Sequence, residues 1–512
     1  MRTFELLLWF TASCAVLIEI AGPSRRRVAG MFAVVLIPIA ALHLTIEGWR
    51  VHMAPTYAIA AGLLVLSAGR AWSGKSPVRS TLRTRLLPGS PVIALALTAL
   101  ILPSLFPVYS YDVPSGPYAI GTSIYELVDE ARDRDLVVQV WYPASRAAGS
   151  PSGVTPRPDL LAGAYASFTG LPAPLFDNLR LIRTHAISNL PVANDRSTFP
   201  VVLVSHGPGV GNRSQSVFQL EALASHGFIA VAIDHTRYAS TTIFPDGRSI
   251  PFDPRVGWPT FVDTLSTAML KTWAADASFV IDQLERLNQD DSTALLTGRL
   301  DMSRLGYLGT SFGGSVVVQT LTQDRRIKAG VAEDGKPYFL DETLSALDRP
   351  LMYMQSAAPY IHATDAQLTK WGLTARRFRE AEQDHYTRQM LLFSHAQGPI
   401  YNVYIRGTNH VTFSDFYLAV RVPDIELIPV RRAHRIINDY TVAFFNRYLN
   451  ASPEPLVDGT TPSPDPEVTV ASRLVCSVDH AAGCRVLSGF GDEPCNRRAA
   501  IGTGIFQALR QR

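Results

Sequence analysis

Charged residues are scarce in this chain of 512 residues, and neither sign of charge dominates. Asp, Glu, Lys and Arg together make up 18% of the sequence, and the formal net charge is +3 at pH 7. A nucleic-acid-binding protein usually concentrates positive charge, so no nucleic-acid partner is predicted. Hydrophobic residues reach 47%. This composition indicates a membrane portion joined to a globular one, and the length favours roughly two to four domains.

Cysteine is equally scarce, with four residues in the whole chain. Cys14 lies in an apolar run near the N-terminus, whereas Cys476, Cys484 and Cys495 lie near the C-terminus. The spacing of the last three does not form the paired pattern of a zinc site, so no metal is predicted. An oxidising exterior would allow one disulfide among them and leave one thiol over.

Long apolar runs, by contrast, fill the N-terminal fifth of the chain. Each approaches the ~20 residues that a helix needs to cross ~30 Å of hydrocarbon. No small-residue cleavage site follows the first run cleanly, so a retained helix is favoured over a signal peptide. We predict a bundle of about four transmembrane helices within residues 1–108. The runs are Phe4–Ala21, Ala29–Ile46, Met53–Gly69 (the shortest) and Pro91–Val108.

The loops between these runs differ in positive charge, which predicts their orientation. The N-terminus and the second loop carry only Arg2 and Arg50, and the first and third loops carry the other basic residues. The protein is therefore predicted to be a multi-pass protein of the plasma (inner) membrane, with everything after Val108 extracytoplasmic. If the third run does not span, this orientation reverses. The basic residues of the first and third loops are Arg25, Arg26, Arg27, Arg70, Lys75, Arg79, Arg83 and Arg85.

After the apolar runs, short β-rich runs alternate with helical patterns. Continuous apolar strands with helices between them indicate a parallel sheet buried on both faces. We therefore predict an α/β catalytic domain over 109–450, followed by a Pro-rich linker and C-terminal tail over 451–512. Two excursions, Gly149–Ala193 and Ala357–Gln397, are expected to shape the substrate entrance. The main predicted strands are 135–144, 199–207, 228–235, 305–309, 327–334, 350–356 and 399–407.

The segment Gly309-Thr310-Ser311-Phe312-Gly313 follows a predicted strand and precedes a predicted helix. This is the G-x-S-x-G pattern in the strand–turn–helix context that exposes the serine of an α/β-hydrolase on a sharp turn. The helix N-terminus points free N–H groups towards an oxyanion formed on the substrate. Ser311 is therefore the predicted nucleophile. The alternative is a small polar residue in a glycine-rich turn.

A serine nucleophile needs a base that is itself oriented by an acid. The order along an α/β-hydrolase chain is Ser, acid, His. Asp334 ends a predicted strand and precedes a glycine, which favours it as the acid, although the neighbouring Glu333 is an alternative. His410 follows the last predicted strand of the sheet and is the predicted base. The histidines that rank lower are His206, His226, His235, His362, His385 and His395.

An oxyanion hole requires hydrogen-bond donors beside the nucleophile. The first expected donor is the backbone N–H of Phe312, the residue after the serine. The second is expected from the loop "SHGPGVGNRSQS" (residues 205–216), which follows an earlier strand. His206 in that loop is interpreted as a brace for the turn and not as a proton-transfer group.

Six segments, in order, resemble the platelet-activating factor acetylhydrolase family of the plasma (group VII phospholipase A2) type and its bacterial relatives. They span roughly Asp135 to Leu449 and include "SHGFIAVAIDH" and "GTNHVTFSDF", which are far more specific than G-x-S-x-G alone. This family consists of calcium-independent serine hydrolases that remove short or oxidised acyl chains from phospholipids. The resemblance implies an α/β-hydrolase fold, no cofactor, and Ser311, Asp334 and His410 as nucleophile, acid and base.

Two positions depart from the family pattern. Thr310, beside the nucleophile, stands where the family commonly has histidine. Pro208 stands where the family takes a backbone N–H for the oxyanion, and proline has none. Losing one donor typically costs ~2.7–4 kcal/mol of transition-state stabilisation. We therefore expect Gly209 to supply the second donor.

The sequence thus predicts a membrane-anchored serine ester hydrolase that acts on a lipid or another small ester. A broader carboxylesterase for dienelactone-, polyester- or peptide-type substrates is the main alternative, because the excursions that would set specificity are unreadable from sequence. A catalytically dead membrane scaffold or sensor is less favoured, since the Ser–Asp–His order is intact.

Overall fold

The computed structural model describes residues 1–21, 25–73, 82–145, 148–256, 264–338, 347–356, 374–421, 427–458 and 462–473. The described residues fall into two compact units, which we call the helical unit and the sheet unit. The helical unit lies within Met1–Ser110, Pro158–Ile182 and Tyr417–Pro423, and the sheet unit contains the rest. His362, Cys476, Cys484 and Cys495, singled out above, lie outside the described residues.

Four helices follow one another in the N-terminal part of the helical unit. Three helical stretches are long and apolar enough to cross a membrane, by length and composition only: Thr3–Ala21, Arg27–Glu47 and Val51–Trp72. They coincide with the first three predicted runs. In the described part of the fourth helix, the apolar stretch Ile93–Leu105 is shorter. The bounds are α1 Thr3–Ala21, α2 Arg26–Leu42 with a π-helical turn His43–Glu47, a 3-10 turn Val51–Met53, α3 Ala54–Ser73 and α4 Leu82–Leu105.

The helical unit also includes part of the excursion Gly149–Ala193. Phe176 in this part lies edge-on to Phe106 and to Tyr165, with ring centroids 5.6 Å and 5.7 Å away. Aromatic side chains of this part of the excursion thus pack against Phe106, the residue that follows α4. Of this excursion, Pro158–Ile182 belongs to the helical unit and the flanking residues belong to the sheet unit, and its role at a substrate entrance stays a prediction. Its helices are α5 Pro158–Thr169 and a 3-10 helix Ala173–Leu181.

A fully buried ion pair joins the start of α1 to the segment that precedes α3. Arg50 Nη1 lies 3.1 Å from Glu5 Oε1, and neither side chain is exposed. Glu5 also pairs with Arg2 at 2.8 Å, and Arg50 donates a hydrogen bond to the carbonyl oxygen of Phe106. The start of α1, the segment before α3 and the segment after α4 are therefore connected through two charges that have no access to water.

Glu5→Gln is expected to destabilise the helical unit, because Arg50 would keep a buried charge without its carboxylate partner. Breaking a buried pair in this way typically costs about 3–5 kcal/mol. Thermal unfolding of the full chain in detergent measures the effect. Glu19→Gln on the same helix is the control, since Glu19 pairs with Arg70, whose side chain is 39% exposed, and such pairs contribute ~0–1 kcal/mol. Equal Tm shifts would contradict a buried-charge origin.

The sheet unit contains thirteen described strands, of which eleven form one sheet and two form a separate hairpin, β7 with β8. The strands are β1 Ala119–Asp129, β2 Arg134–Ala144, β3 Pro151–Gly153, β4 Arg183–Ser188, β5 Phe199–Ser205, β6 Ile229–Asp234, β7 Thr241–Ile243, β8 Ser249–Pro251, β9 Leu300–Thr310, β10 Ile327–Glu333, β11 Leu351–Ser356, β12 Ile400–Ile405 and β13 Val468–Arg473.

The strand order in the large sheet is β13-β12-β11-β10-β9-β5-β6-β2-β1-β4-β3. The block from β12 to β6 is parallel throughout, whereas β2 is antiparallel to β6 and β13 is antiparallel to β12. Parallel strands align their carboxyl ends at one edge of a sheet. The loops after β5, β9, β10 and β12 therefore open at the same edge, which is where ligands bind in open α/β sheets.

All seven main predicted strands are present, and the parallel sheet is confirmed. Six of the described strands were not predicted: β1, β3, β4, β7, β8 and β13. β1 pairs with β2 along its whole length, but its sequence AIGTSIYELVD mixes polar with apolar residues, so it lacks the continuous apolar run that marks the others. β13 lies within 451–512, the segment predicted as linker and tail, and forms the sheet edge next to β12.

Helices cover both faces of the parallel block, and the core lies between helices and sheet. The helix predicted from Ser266 to Leu287 extends over Thr264–Gln289. Its Trp273 and Ile281 share one buried cluster with Leu305 of β9. The helices of this unit are α6 Val217–Ser225, α7 Thr264–Gln289, α8 Phe312–Gln323, α9 Ala375–His395, α11 Val430–Leu449 and α12 Pro455–Asp458, with 3-10 turns at Glu130–Arg132, Pro254–Val256 and His410–Phe413. The short helix α10 Phe416–Ala419 lies in the helical unit from Tyr417 onward.

Candidate active site

Ser311 lies on the turn between β9 and α8. Its backbone has φ 60° and ψ −125°, a conformation rare for residues other than glycine, and its N–H donates to the carbonyl oxygen of Glu333 at 2.8 Å. A Cβ on Gly309 would lie 2.2 Å from the carbonyl oxygen of Gly313, and one on Gly313 would lie 2.5 Å from that of Ser205. Both glycines are therefore required by the close approach of strand and helix.

The three side chains predicted as nucleophile, base and acid form one hydrogen-bonded chain. His410 Nε2 is 3.0 Å from Ser311 Oγ, and His410 Nδ1 is 2.8 Å from Asp334 Oδ2. A carboxylate only accepts, so Nδ1 carries the proton and Nε2 is left to accept from the serine hydroxyl. The Asp334 side chain is 3% exposed and that of His410 is 22% exposed. This geometry is suited to removing a proton from Ser311.

The ends of neighbouring strands position the carboxylate and the imidazole. Asp334 follows β10, and its N–H donates to the carbonyl oxygen of Met354 in β11 at 2.7 Å. Its Oδ1 accepts from the backbone N–H and from the hydroxyl of Ser356, at 2.9 Å and 3.0 Å. His410 follows β12 and begins a 3-10 turn that is capped by the side chain of Asn409. These contacts hold the side chains of Asp334 and His410 in position before any substrate binds.

Glu333, the alternative acid, makes different contacts. Its side chain is fully buried and accepts hydrogen bonds from Thr310 Oγ1 at 2.8 Å and from Gln219 Nε2. Burial raises the pKa of Glu333 to about 8, and the nearby Asp334 charge acts in the same direction. A carboxyl group that is neutral at pH 7 cannot stabilise an imidazolium as an ionised one does. Thr310, where the family commonly has histidine, is thus a partner of this neutral acid.

A second Ser–His–Asp chain exists in the sheet unit. Ser205 Oγ is 2.8 Å from His235 Nε2, and His235 Nδ1 is 2.9 Å from Asp276 Oδ2. All three residues are fully buried, and Ser205 Oγ also bonds to the hydroxyl of Tyr307 at 2.7 Å. Ser311, in contrast, is partly exposed. Sequence reasoning missed this second chain because its members lie in separate segments without a motif.

The lower-ranked histidines that the structure describes lie outside the Ser311 chain. His206 Nδ1–H donates to the carbonyl oxygen of Gly207 at 2.7 Å, and its Nε2 accepts from the N–H of His235 at 3.2 Å. Burial lowers the pKa of His206 to about 4, so the ring stays neutral and braces the loop. The others are His226, which bonds to Ser115, the buried His385, which packs on Tyr338, and the exposed His395.

The backbone beside the nucleophile offers fewer donors than the sequence predicts. Phe312 begins α8, where a backbone N–H has no partner within the helix. Pro208 has no N–H. The N–H of Gly209, the predicted second donor, donates to the carbonyl oxygen of Tyr238 at 2.7 Å. Gly209 could serve an oxyanion only if that bond were broken.

One group of possible metal ligands occurs among the described residues. Ligand atoms of Glu5, His43 and Glu47 lie within 4.8 Å of one another, in the helical unit. His43 already bonds to Glu47 at 3.0 Å and to the hydroxyl of Tyr57 at 2.6 Å, and Glu5 pairs with Arg50. Because protein partners satisfy these atoms, we assign the group a structural role.

A parallel sheet whose central strand leads through a serine turn into a helix defines the α/β-hydrolase class. Within that class, the family model described as "Platelet-activating factor acetylhydrolase, isoform II" matches residues 108–253 and 277–448. The chain belongs to this family and is a carboxylic ester hydrolase. The resemblance drawn from the sequence segments is confirmed.

Individual relatives agree with this assignment. The platelet-activating factor acetylhydrolase of Cavia porcellus is 23% identical over 396 residues, covering 71% of this chain and 84% of the relative. A "Probable 1-alkyl-2-acetylglycerophosphocholine esterase" of Arthroderma benhamiae is 27% identical over 295 residues, covering 54% and 66%. The solved ferulic acid esterase from Streptomyces cinnamoneus shares the fold, with a TM-score of 0.55, 24% identity, and coverage of 71% of this chain and 99% of that one.

Glu333 is expected to make stability depend on pH. Its pKa is about 8 in the folded protein against an ordinary 4.5, so the folded state keeps a proton that the unfolded state loses between these values. The contribution of Glu333 to stability is fully present below about pH 4.5 and declines as the pH rises to about 8. Glu333→Gln should remove this decline, so the Tm of the wild type should fall relative to that of the variant.

The measurement is the Tm difference between wild type and variant at several pH values from about 5 to 8. Asp415, whose pKa burial also raises to about 8, is present in both proteins and cancels in the difference. Glu130→Gln, at an exposed position, is the control and should show no such trend. A Tm difference for Glu333→Gln that is constant over this range would contradict the prediction.

Proposed function

We propose that this chain is a membrane-anchored serine esterase in which Ser311, His410 and Asp334 form the catalytic triad. The observation that carries the proposal is the hydrogen-bonded chain from Asp334 through His410 to a partly exposed serine, in a protein of an ester hydrolase family. The buried Ser205 chain has no access to substrate, and Glu333 is neutral where an ionised acid is needed.

In the proposed reaction, Ser311 Oγ attacks the carbonyl carbon of the ester while its proton passes to His410 Nε2. Asp334 holds the imidazole through Nδ1–H and stabilises the imidazolium. The former carbonyl oxygen becomes an oxyanion that accepts a hydrogen bond from the Phe312 N–H. The bond to the alcohol oxygen then breaks, and His410 returns the proton to that oxygen, leaving an acyl-serine.

Deacylation repeats these steps with water. A water molecule gives a proton to His410 Nε2 as its oxygen attacks the acyl carbon, and a second tetrahedral oxyanion forms. Collapse of this intermediate breaks the bond to Ser311 Oγ, which regains the proton from His410, and releases the carboxylic acid. The two half-reactions balance with the side chains of the triad and one water.

For the substrate, we propose short or oxidised acyl esters of phospholipids. The guinea pig relative is named an acetylhydrolase of platelet-activating factor and the Arthroderma relative an esterase of 1-alkyl-2-acetylglycerophosphocholine, so a short acyl group is the shared element of their substrates. Three apolar helices of spanning length would hold the enzyme at a lipid surface. We propose that α4 also spans, which puts the sheet unit on the extracytoplasmic side of the plasma (inner) membrane.

Ser311→Ala is expected to lower kcat by roughly 10⁶-fold, as removal of a triad nucleophile does elsewhere, and to abolish labelling by a fluorophosphonate. Hydrolysis of p-nitrophenyl acetate and gel detection of the label measure both effects. Ser205→Ala is the matched control, because Ser205 takes part in a similar hydrogen-bond chain but is buried, and it should keep the label. Labelling that persists in Ser311→Ala, or disappears only in Ser205→Ala, would overturn the assignment.

Phosphatidylcholines that differ only in the sn-2 chain test the substrate class. We expect kcat/KM for acetyl and short oxidised chains to exceed that for palmitoyl by at least about 10-fold, since a pocket of limited length discriminates by acyl size. Activity on p-nitrophenyl esters with none on phospholipids would favour the broader carboxylesterase. A folded protein with no activity on either class would favour a scaffold.

A further inference from the structure

Three consecutive residues beside the nucleophile offer no free backbone N–H to an oxyanion. Gly207 N–H donates to Gln215 Oε1 at 2.8 Å, Pro208 has no N–H, and Gly209 N–H donates to the carbonyl oxygen of Tyr238 at 2.7 Å. The loop therefore does not provide the backbone donor that would complete a two-donor oxyanion hole with Phe312.

The side-chain amide of Gln215 and the hydroxyl of Ser311 both border Gly207. A Cβ placed on Gly207 would be 3.4 Å from Ser311 Oγ and 3.7 Å from Gln215 Oε1, so both atoms lie within 4 Å of a single point. The N–H of Gly207 must meet an oxygen, and this requirement identifies Oε1 as the end of the amide that faces Gly207. The NH₂ group keeps two donors, and within the part of the chain that the structure describes Nε2 has no hydrogen-bond partner.

The surrounding loop fixes the backbone of Gln215, from which the side-chain amide extends. The N–H of Gln215 donates to the carbonyl oxygen of Asn212, and its own carbonyl oxygen accepts from the N–H of Asp415, both at 2.9 Å. A Cβ on Gly211 would lie 1.9 Å from Gln215 Oε1. A glycine is therefore required at 211 for the amide to occupy its position.

We propose that the side-chain amide of Gln215 supplies the second donor of the oxyanion hole. Its Nε2–H and the N–H of Phe312 bind the same oxygen of the tetrahedral intermediate, in place of the backbone N–H that Pro208 lacks. Gln215 thus replaces Gly209, the donor predicted from the sequence. Side-chain amides serve as oxyanion donors in other hydrolases. The inference rests on the proposed role of Ser311 as nucleophile.

Gln215→Glu is the most informative variant, because it keeps the oxygen that accepts from Gly207 and replaces only the NH₂ group. In the full chain in detergent, kcat on p-nitrophenyl acetate is expected to fall about 10²–10³-fold with little change in KM, since the donor acts on charge that develops in the transition state. Gly211→Ala, whose Cβ would lie 1.9 Å from Gln215 Oε1 and 2.5 Å from the carbonyl oxygen of Gly207, displaces the amide together with the adjoining backbone and should give a loss of at least the same order. Gln289→Glu, the same change at the exposed end of α7, is the control and should leave kcat unchanged.

A trifluoromethyl ketone gives a second readout, because its adduct with the nucleophilic serine carries an oxyanion. Gln215→Glu should weaken its inhibition constant by a factor similar to the loss in kcat. If both Gln215→Glu and Gly211→Ala keep the wild-type kcat and the wild-type affinity for the ketone, the Gln215 assignment is overturned and the triad is left intact. Activity retained by Ser311→Ala would instead overturn the proposed function itself. If Gln215→Glu does not fold, Gly211→Ala carries the same test.

Discussion

The close approach of β9 and α8 is the constraint on which the site depends. No side chain fits at Gly309 or Gly313, so the chain turns within one residue and Ser311 takes a strained conformation that costs about 1–3 kcal/mol in typical cases. The turn is held by the hydrogen bond from the Ser311 N–H to Glu333. The same crowding extends to the next strand, because a Cβ on Gly335 would lie 2.9 Å from the carbonyl oxygen of Ser311. The proposed nucleophile and acid are thus positioned by backbone contact and not by their side chains alone.

Two adjacent carboxyl groups at the end of β10 have different surroundings because the chain leaves the strand between them: Glu333 is the last residue of β10, and Asp334 follows it with a φ of 44°. Glu333 points into the core, where burial favours its neutral form. Asp334 accepts hydrogen bonds from Ser356 and His410, so its side chain faces the imidazole. One strand end therefore supplies a buried neutral acid and the proposed orienting acid of the triad at adjacent positions.

The sequence was most informative where a pattern is local. Continuous apolar strands, the serine turn and the order of Asp334 and His410 along the chain could all be predicted, because strand ends of a parallel sheet converge whatever the loops do. Features that depend on contacts between separate segments of the chain could not be predicted. β1 lacks an apolar run and is stabilised by pairing with β2, Tyr165 of α5 packs on Phe176 of the 3-10 helix that follows, and the amide of Gln215 acquires its position only from Gly207 and Gly211. The loss of a backbone donor at Pro208 was visible in the sequence, but the group that replaces it was not.

The buried chain of Ser205, His235 and Asp276 bears on how catalytic sites are recognised computationally. Its interatomic distances are close to those of the Ser311 chain. A geometric template built only from serine, histidine and aspartate atoms would therefore return two matches in this one protein. What separates them is the path from solvent, which Tyr307 and the packed sheet close for Ser205. Searches that annotate genomes by triad geometry need a term for solvent access, or a protein such as this one will be assigned a nucleophile that no substrate can reach.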